Sequence, residues 1–133
     1  MAIDPIIHGY VVEEEQYPDK AVIIEEGSKG DWAYVVLRGK VKVIKKAPKG
    51  LITVDNLKEG AIFGEMAMFR KGGALRTASI VADGPVEVGI LDRDRLFAAY
   101  ADVSPRIKAL LETMIDRLQD TTNAITGLLD KRP

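Results

Sequence analysis

The stretch that decides the fold lies at residues 60–82 and reads GAIFGEMAMFRKGGALRTASIVA. It opens on a glycine turn, continues as a short amphipathic segment and ends on an arginine that enters a β-like run. Gly64 permits close backbone approach. A helical turn beginning there leaves the N–H groups of Glu65, Met66 and Ala67 without partners inside the helix. Because such donors coincide with the positive end of the helix dipole, the sequence predicts an anion site at this turn.

Two charged side chains indicate what kind of anion this turn binds. Arg76 follows the Gly72–Gly73 bend and can return to the same anion with a two-pronged, charge-assisted contact. Glu65 repels a phosphate, so its carboxylate is better suited to accept hydrogen bonds from hydroxyl groups such as those of a sugar. One guanidinium, one carboxylate and several amides therefore predict a ligand that is part sugar and part phosphate.

The same stretch resembles the phosphate-binding cassette of the cyclic nucleotide-binding domain family. The family pattern is Phe-Gly-Glu, a small apolar helix, a variable loop, and then Arg, a small or hydroxyl residue, and Ala. By this resemblance, Glu65 holds the ribose 2′-hydroxyl and Arg76 the cyclic phosphate, with backbone amides around Gly64 and Ala78 completing the cradle. Arg76→Ala is expected to abolish binding at micromolar ligand and leave the fold intact. The cassette residues that the resemblance assigns to the ligand are Phe63, Gly64, Glu65, Met66, Ala67, Arg76, Thr77 and Ala78.

Composition limits the classes of protein to which the chain can belong. Its 133 residues fit one domain, and 47% apolar with 29% charged residues are typical of a globular protein. A formal charge of −1 provides no excess of positive charge to bind phosphates of nucleic acid, so direct nucleic acid contact is not expected. The absence of cysteine excludes disulfides, thiolate metal sites and a cysteine nucleophile. No membrane-length apolar run or signal-peptide pattern is present, so we expect a cytoplasmic location and no membrane partner.

Short β-prone runs separated by glycine turns begin at Lys20. Turns at residues 38–39 and 83–85 are expected to separate neighbouring strands. Upstream, residues 11–15 leave two alternatives open, an edge strand or a helical turn. The spacing of runs and glycines predicts a closed or rolled all-β unit. The predicted strands are residues 21–24, 32–37, 40–45, 51–54, 61–63, 77–81 and 86–91.

A second block, residues 24–41, also looks like the upstream glycine signature of the same family. The resemblance spans about residues 20–130 and implies a mainly β fold with α elements. That fold is a double-stranded β-helix, or jelly-roll barrel, with a short phosphate-binding helix and C-terminal helices that include a long dimerisation helix. The implied organisation is a barrel over residues 1–103 with the cassette at 60–82 and a short helix at 92–101, followed by a C-terminal helix over 104–130.

The tail of the chain predicts two helices. Asp92 can cap the first, and Ser104 followed by Pro105 marks the start of the second. Apolar residues in the second helix recur at heptad spacing if Thr121 is included, which predicts a two-fold dimer through parallel helices. The alternative is that this helix lies on its own domain. The heptad positions are Ile107, Leu111, Met114, Leu118, Thr121, Ile125 and Leu128.

Thr121 and Thr122 connect this helix to the ligand. The segment around them is similar to the helix of dimer-forming family members whose paired hydroxyls meet the adenine of bound cAMP. By that resemblance both threonines contact the base, one from each subunit, and the ligand lies between barrel and dimer seam. This favours cAMP. The alternative cGMP stays open, because a hydroxyl at Thr77 can bond the exocyclic amine of guanine.

The resemblance implies a non-catalytic regulatory module that senses a cyclic nucleotide and needs no further cofactor or metal. One alternative is a barrel kept only for dimerisation or partner binding. Another is an enzyme on a similar cupin-like barrel, but a single histidine, His8, and no cysteine do not supply its metal ligands. Activators of this family continue into a helix-turn-helix. Because this sequence stops at Pro133, it is expected to be a fragment, a stand-alone sensor or a module that acts through a separate effector protein or domain.

Overall fold

The computed structural model describes residues 3–30, 32–65 and 76–130 of the chain. The predicted phosphate-binding helix, with Met66 and Ala67, lies outside these ranges. Three helices and six strands are present in the described ranges. In chain order they are α1 (Pro5–His8), β1 (Val11–Tyr17), β2 (Val22–Ile24), β3 (Tyr34–Ala47), β4 (Gly50–Leu57), β5 (Ile62–Phe63), β6 (Ser79–Leu91), α2 (Arg93–Ala101) and α3 (Pro105–Asp130).

All strand pairs are antiparallel, and the sheet has the order β1-β6-β3-β4. The short strand β2 pairs with β6, and β5 pairs with β3. The long β3 and β6 therefore form the centre of the sheet, and α2 and α3 follow at the C-terminal end. The predicted fold class, mainly β with a jelly-roll barrel and C-terminal helices, is confirmed.

Two predicted strand breaks are wrong. Residues 38–39 do not separate two strands, since β3 runs from Tyr34 to Ala47, and β6 continues through residues 83–85. Gly39 and Gly84 instead have φ values of +89° and +81°, and the register between the two strands shifts on both sides of Arg38. Glycine adopts this left-handed conformation without a steric penalty, so the chain absorbs an irregularity without leaving the sheet.

The N-terminal segment resolves the alternative left open for residues 11–15. They belong to the strand β1, which pairs with β6 at the edge of the sheet. An edge strand leaves one side in water, where Glu13 and Glu14 stay exposed. The acidic run is therefore compatible with a strand at this position.

The core divides between the two faces of β3. Val35 and Val36 are neighbours and both are fully buried, because one points into each cluster. Val36 belongs to the larger cluster inside the barrel, which includes Phe63 and Ile80. Val35 belongs to a smaller cluster against which Leu96 of α2 packs. A strand covered on both faces fixes the position of its neighbour β5, which belongs to the cassette.

The C-terminal helices have the bounds that the sequence predicts. Asp92 caps α2 by accepting a hydrogen bond from the Arg95 N–H at 3.1 Å, and Ser104 accepts one from the Ile107 N–H at 3.3 Å. α3 packs against β3 and β4. No helix in the described ranges is long and apolar enough to cross a membrane. The residues of α3 that are buried or half-buried on the barrel side include Leu111, Ile115, Gln119, Thr122 and Thr126.

Candidate functional site

A cavity of about 520 Å³ lies between the cassette strands, β4 and α3. The predicted ligand residues that the structure describes all contribute to its wall, whereas Met66 and Ala67 fall outside the described ranges. Residues from distant parts of the sequence, the cassette and the tail, therefore meet around one space. The predicted residues in the wall are Phe63, Gly64, Glu65, Arg76, Thr77, Ala78, Thr121 and Thr122.

Arg76 is buried, with 8% of its surface exposed, and its guanidinium bonds to the backbone. Its Nη1 donates to the carbonyl oxygen of Gly64 and its Nη2 to that of Trp32, both at 2.7 Å. Its own backbone is also held, since its N–H donates to the Ser28 carbonyl at 2.8 Å. The expectation that Arg76→Ala leaves the fold intact is therefore revised, because the truncation also removes the donors for two carbonyl groups.

Two glycines allow the backbone to approach this guanidinium. Gly64 has a φ of +80°, and a Cβ there would lie 2.7 Å from the Trp32 carbonyl oxygen and 3.1 Å from Arg76 Nη1. A Cβ at Gly30 would lie 3.2 Å from Arg76 Nη2. The distance to the Trp32 oxygen is too short for a side chain, and the positive φ disfavours one as well, so glycine is required at position 64.

Glu65 lies in the same wall, and burial raises the pKa of its carboxyl above the usual value. A hydrogen bond from its own backbone N–H and the positive charge of Arg76 act on the pKa in the opposite direction. Burial has the largest effect of the three. The site therefore contains a carboxylate and a guanidinium whose charges interact.

The helix α3 forms the facing wall with Thr121 and Thr122 together with Leu118 and Ile125. The Thr122 hydroxyl donates to the Leu118 carbonyl at 3.0 Å, so towards the cavity its oxygen acts as a hydrogen-bond acceptor. Both threonines line the cavity within one chain. Their contribution from different subunits stays a prediction.

Sequence reasoning missed several groups at this site. Val54 and Asp55 of β4 line the cavity, and Lys45 of β3 donates to the Thr77 carbonyl at 2.6 Å. The carbonyl of Trp32 holds Arg76 from 44 residues away in sequence. These contacts depend on strand pairing and on a bulge, for which no local pattern gives a signal. Among residues 3–30, 32–65 and 76–130, no three His, Asp or Glu side chains are placed to hold a metal ion.

Comparison with known proteins gives consistent matches. The profile of the family described as "Cyclic nucleotide-binding domain" matches residues 14–102. A "CRP-like cAMP-activated global transcriptional regulator" from Mycobacterium tuberculosis is 32% identical over 116 residues, which cover 85% of this chain and 50% of the regulator. The chain thus spans about half the length of this curated relative.

Two solved structures are also similar. A cyclic nucleotide-binding domain from Methylobacillus flagellatus aligns with a TM-score of 0.61 and 33% identity, covering 92% of this chain and 66% of its own. The cAMP-bound form of the EAL enzyme Bd1971 aligns with a TM-score of 0.74 and 26% identity, covering 85% of this chain and 30% of the enzyme. The cGMP-bound form of Bd1971 aligns with a TM-score of 0.74 and 27% identity, over 84% of this chain and 30% of the enzyme.

Proposed function

The chain belongs to the cyclic nucleotide-binding domain family, and we propose that it is a non-catalytic sensor that binds cAMP and relays occupancy to α3. The observation that carries this proposal is one cavity whose wall contains Glu65, Arg76 and the threonine pair of α3. Its volume of about 520 Å³ falls within the range of roughly 300–1,000 Å³ that is typical of small-molecule sites.

The phosphate, ribose and base of the proposed ligand each match a group in the cavity wall. Arg76 supplies a buried positive charge for the cyclic phosphate, and burial strengthens such an attraction because the local dielectric is low. Glu65 accepts a hydrogen bond from a ribose hydroxyl. Gly64 keeps the backbone close to both groups. The apolar side chains of Ile80 and Phe63 offer the remaining surface to the sugar and base.

The choice of cAMP over cGMP rests on the residues that α3 contributes to the cavity wall. Thr121 and Thr122 line the cavity beside β4, where a base would leave the barrel. The mycobacterial relative is described as cAMP-activated, which supports the same choice. The alternative is cGMP, supported by Thr77 in the same wall and by the cGMP-bound form of the similar enzyme Bd1971.

We further propose that the sensor is a homodimer through α3. The apolar residues of its outer face are between 44% and 68% exposed, and all of them except Leu110 occupy the predicted heptad positions of a dimer seam. Leu118 and Ile125 belong to this face and also to the cavity wall, so a ligand that moves them alters the seam. The exposed apolar residues are Ile107, Leu110, Met114, Leu118, Ile125 and Leu128.

The exposed face also supports the alternative of a barrel that no longer binds nucleotide and is kept only for dimerisation or partner binding. For the sensor, we propose that the output comes from a separate effector protein or domain, and that this chain contacts neither nucleic acid nor membrane. A titration with nucleotide distinguishes the two alternatives, because only the sensor binds it.

Calorimetric titration of the protein with cAMP and with cGMP tests the proposal. Arg76→Ala is expected to weaken cAMP binding by about ten- to a hundredfold, since a charged hydrogen bond contributes roughly 1.5–3 kcal/mol. Arg38→Ala removes the same charge from an exposed position of β3 and is expected to bind as the wild type does. Circular dichroism at the titration temperature establishes that the Arg76 variant is folded. Wild type without affinity for either nucleotide, or folded Arg76→Ala with unchanged affinity, would reject the proposal.

A further inference from the structure

Asp55 occupies an unusual place in the strand β4. On β3, Val43 and Ile44 are consecutive, but their partners on β4 are Asp55 and Thr53. Val54 is therefore the extra residue of a bulge, which turns the following side chain. As the direct partner of Val43, Asp55 lies on the same face of the sheet as Val43, which packs against the barrel core, but the Asp55 side chain itself is exposed.

This placement brings a carboxylate to the cavity at the wall formed by β4 and α3. Asp55 lines the cavity together with Val54 from the bulge and Thr122 from α3. One of its oxygens, Oδ1, accepts a hydrogen bond from the neighbouring Asn56 N–H at 2.8 Å. A carboxylate has two oxygens and about four lone-pair positions, so this bond leaves it able to accept further donors.

Two polar side chains at this wall, Asp55 and Thr122, accept hydrogen bonds. An ionised Asp55 has no proton to donate, and the proton of the Thr122 hydroxyl is used by the Leu118 carbonyl. The phosphate cannot lie here, because its charge and that of Asp55 repel. A part of the ligand that carries N–H donors fits instead. In a cyclic purine nucleotide that part is the exocyclic amine of the base.

We propose that Asp55 is a specificity-determining residue, whose carboxylate accepts a hydrogen bond from the exocyclic amine of the bound purine. The inference rests on the proposed function, since it concerns the same cavity. Adenine presents this amine next to a ring acceptor, whereas guanine presents it next to a ring N–H. The carboxylate can therefore accept one hydrogen bond from adenine and a second one from the ring N–H of guanine, and it disfavours a purine that lacks the amine.

The test compares three ligands: cAMP, cGMP and the cyclic phosphate of unsubstituted purine riboside, which has no exocyclic amine. Each is titrated into wild type, Asp55→Ala and Asp55→Asn. For each protein we compare the affinity for the ligand with the amine and for the ligand without it. This ratio is expected to be about tenfold larger in wild type than in Asp55→Ala, which corresponds to the loss of one charged hydrogen bond. Asp55→Asn keeps one acceptor oxygen, so its affinity ratio is expected to lie between those of wild type and Asp55→Ala.

Asp120→Asn is the matched control, since Asp120 is an exposed carboxylate on α3 that does not line the cavity. It should discriminate between the ligands as wild type does. If the amine-free ligand loses the same factor in wild type and Asp55→Ala, the assignment of Asp55 is overturned while the proposed function stands. If wild type binds none of the three ligands, the proposed function itself fails. A larger effect of Asp55→Ala on cGMP than on cAMP supports the assignment and identifies guanine as the base.

Discussion

At the residue scale, the binding role of Glu65 and its contribution to stability oppose each other. Burial raises the pKa of its carboxyl above the usual value of 4.5, so the folded chain resists the charged form. The proposed ligand needs that charged form as a hydrogen-bond acceptor. Arg76 limits the penalty, because its charge acts on the pKa in the opposite direction. Such a conflict is typical of functional sites, where binding groups are kept although they lower stability.

We expect Glu65→Gln to raise the melting temperature at neutral pH and to weaken ligand binding. Between the unfolded and the raised folded pKa, the folded protein holds more protons than the unfolded chain. The contribution of Glu65 to the free energy of unfolding therefore falls as pH rises through that window, and glutamine does not show this fall. Calorimetry of both proteins at about pH 4.5 and about pH 7 measures the difference.

Glu14→Gln, at an exposed position of β1, is the control for the loss of one negative charge. If both variants shift the melting temperature equally, burial of Glu65 has no energetic consequence.

At the element scale, the continuity of β3 and β6 depends on glycine. Gly39 and Gly84 both have positive φ values at the point where the register between the strands shifts. Their surroundings differ, since a Cβ at Gly39 would lie 2.5 Å from the Pro85 carbonyl oxygen, whereas nothing lies within 4 Å of one at Gly84. Both positions thus require the left-handed conformation, and Gly39 in addition has a close contact with neighbouring backbone.

This difference predicts unequal effects of Gly39→Ala and Gly84→Ala. Gly84→Ala is expected to lower the free energy of unfolding by about 1–2 kcal/mol, the strain of a left-handed alanine. Gly39→Ala is expected to lower it by roughly 1–3 kcal/mol more, because the strands must separate to admit the methyl group. Urea denaturation measures both values. Equal losses would show that the contact with Pro85 does not restrict this position.

At the scale of the whole molecule, α3 has two adjacent faces with different surroundings. One packs on the barrel and contributes Thr122 to the cavity, and the other exposes Met114 and its apolar neighbours. Leu118 and Ile125 line the cavity although they lie on the exposed face. If α3 forms the proposed dimer, ligand binding and dimerisation are linked, and each must change the other by the same factor.

We expect Met114→Glu to abolish the dimer and to remove any dependence of cAMP affinity on protein concentration. Met114 is 52% exposed and lies outside the cavity wall, so the barrel itself is not expected to change. Asn123→Glu adds the same charge at an exposed position away from the heptad seam and should leave the dimer intact. Analytical ultracentrifugation with and without cAMP measures the oligomeric state. A wild type that is monomeric under both conditions would refute the dimer.

Much of the local structure could be predicted because its signals lie close together in sequence. The capping residues Asp92 and Ser104 place the starts of both C-terminal helices, and the glycine and charges around Gly64 identify the cassette. Alternating Lys and Val/Ile marks the wet and dry faces of residues 40–45. Strand ends were less predictable. The turn signals at residues 38–39 and 83–85 are real, but pairing between β3 and β6 overrides them.

By itself, the sequence determined the chemical groups of this protein: a guanidinium and a carboxylate around a glycine turn, and a helix with an apolar seam. These follow from residue type and short-range spacing. Only the tertiary structure decided that Arg76 is held by the carbonyl of Trp32, and that Asp55 lies in the same cavity wall. The physical reason is that both depend on strand register, which is set by contacts between residues far apart in the chain.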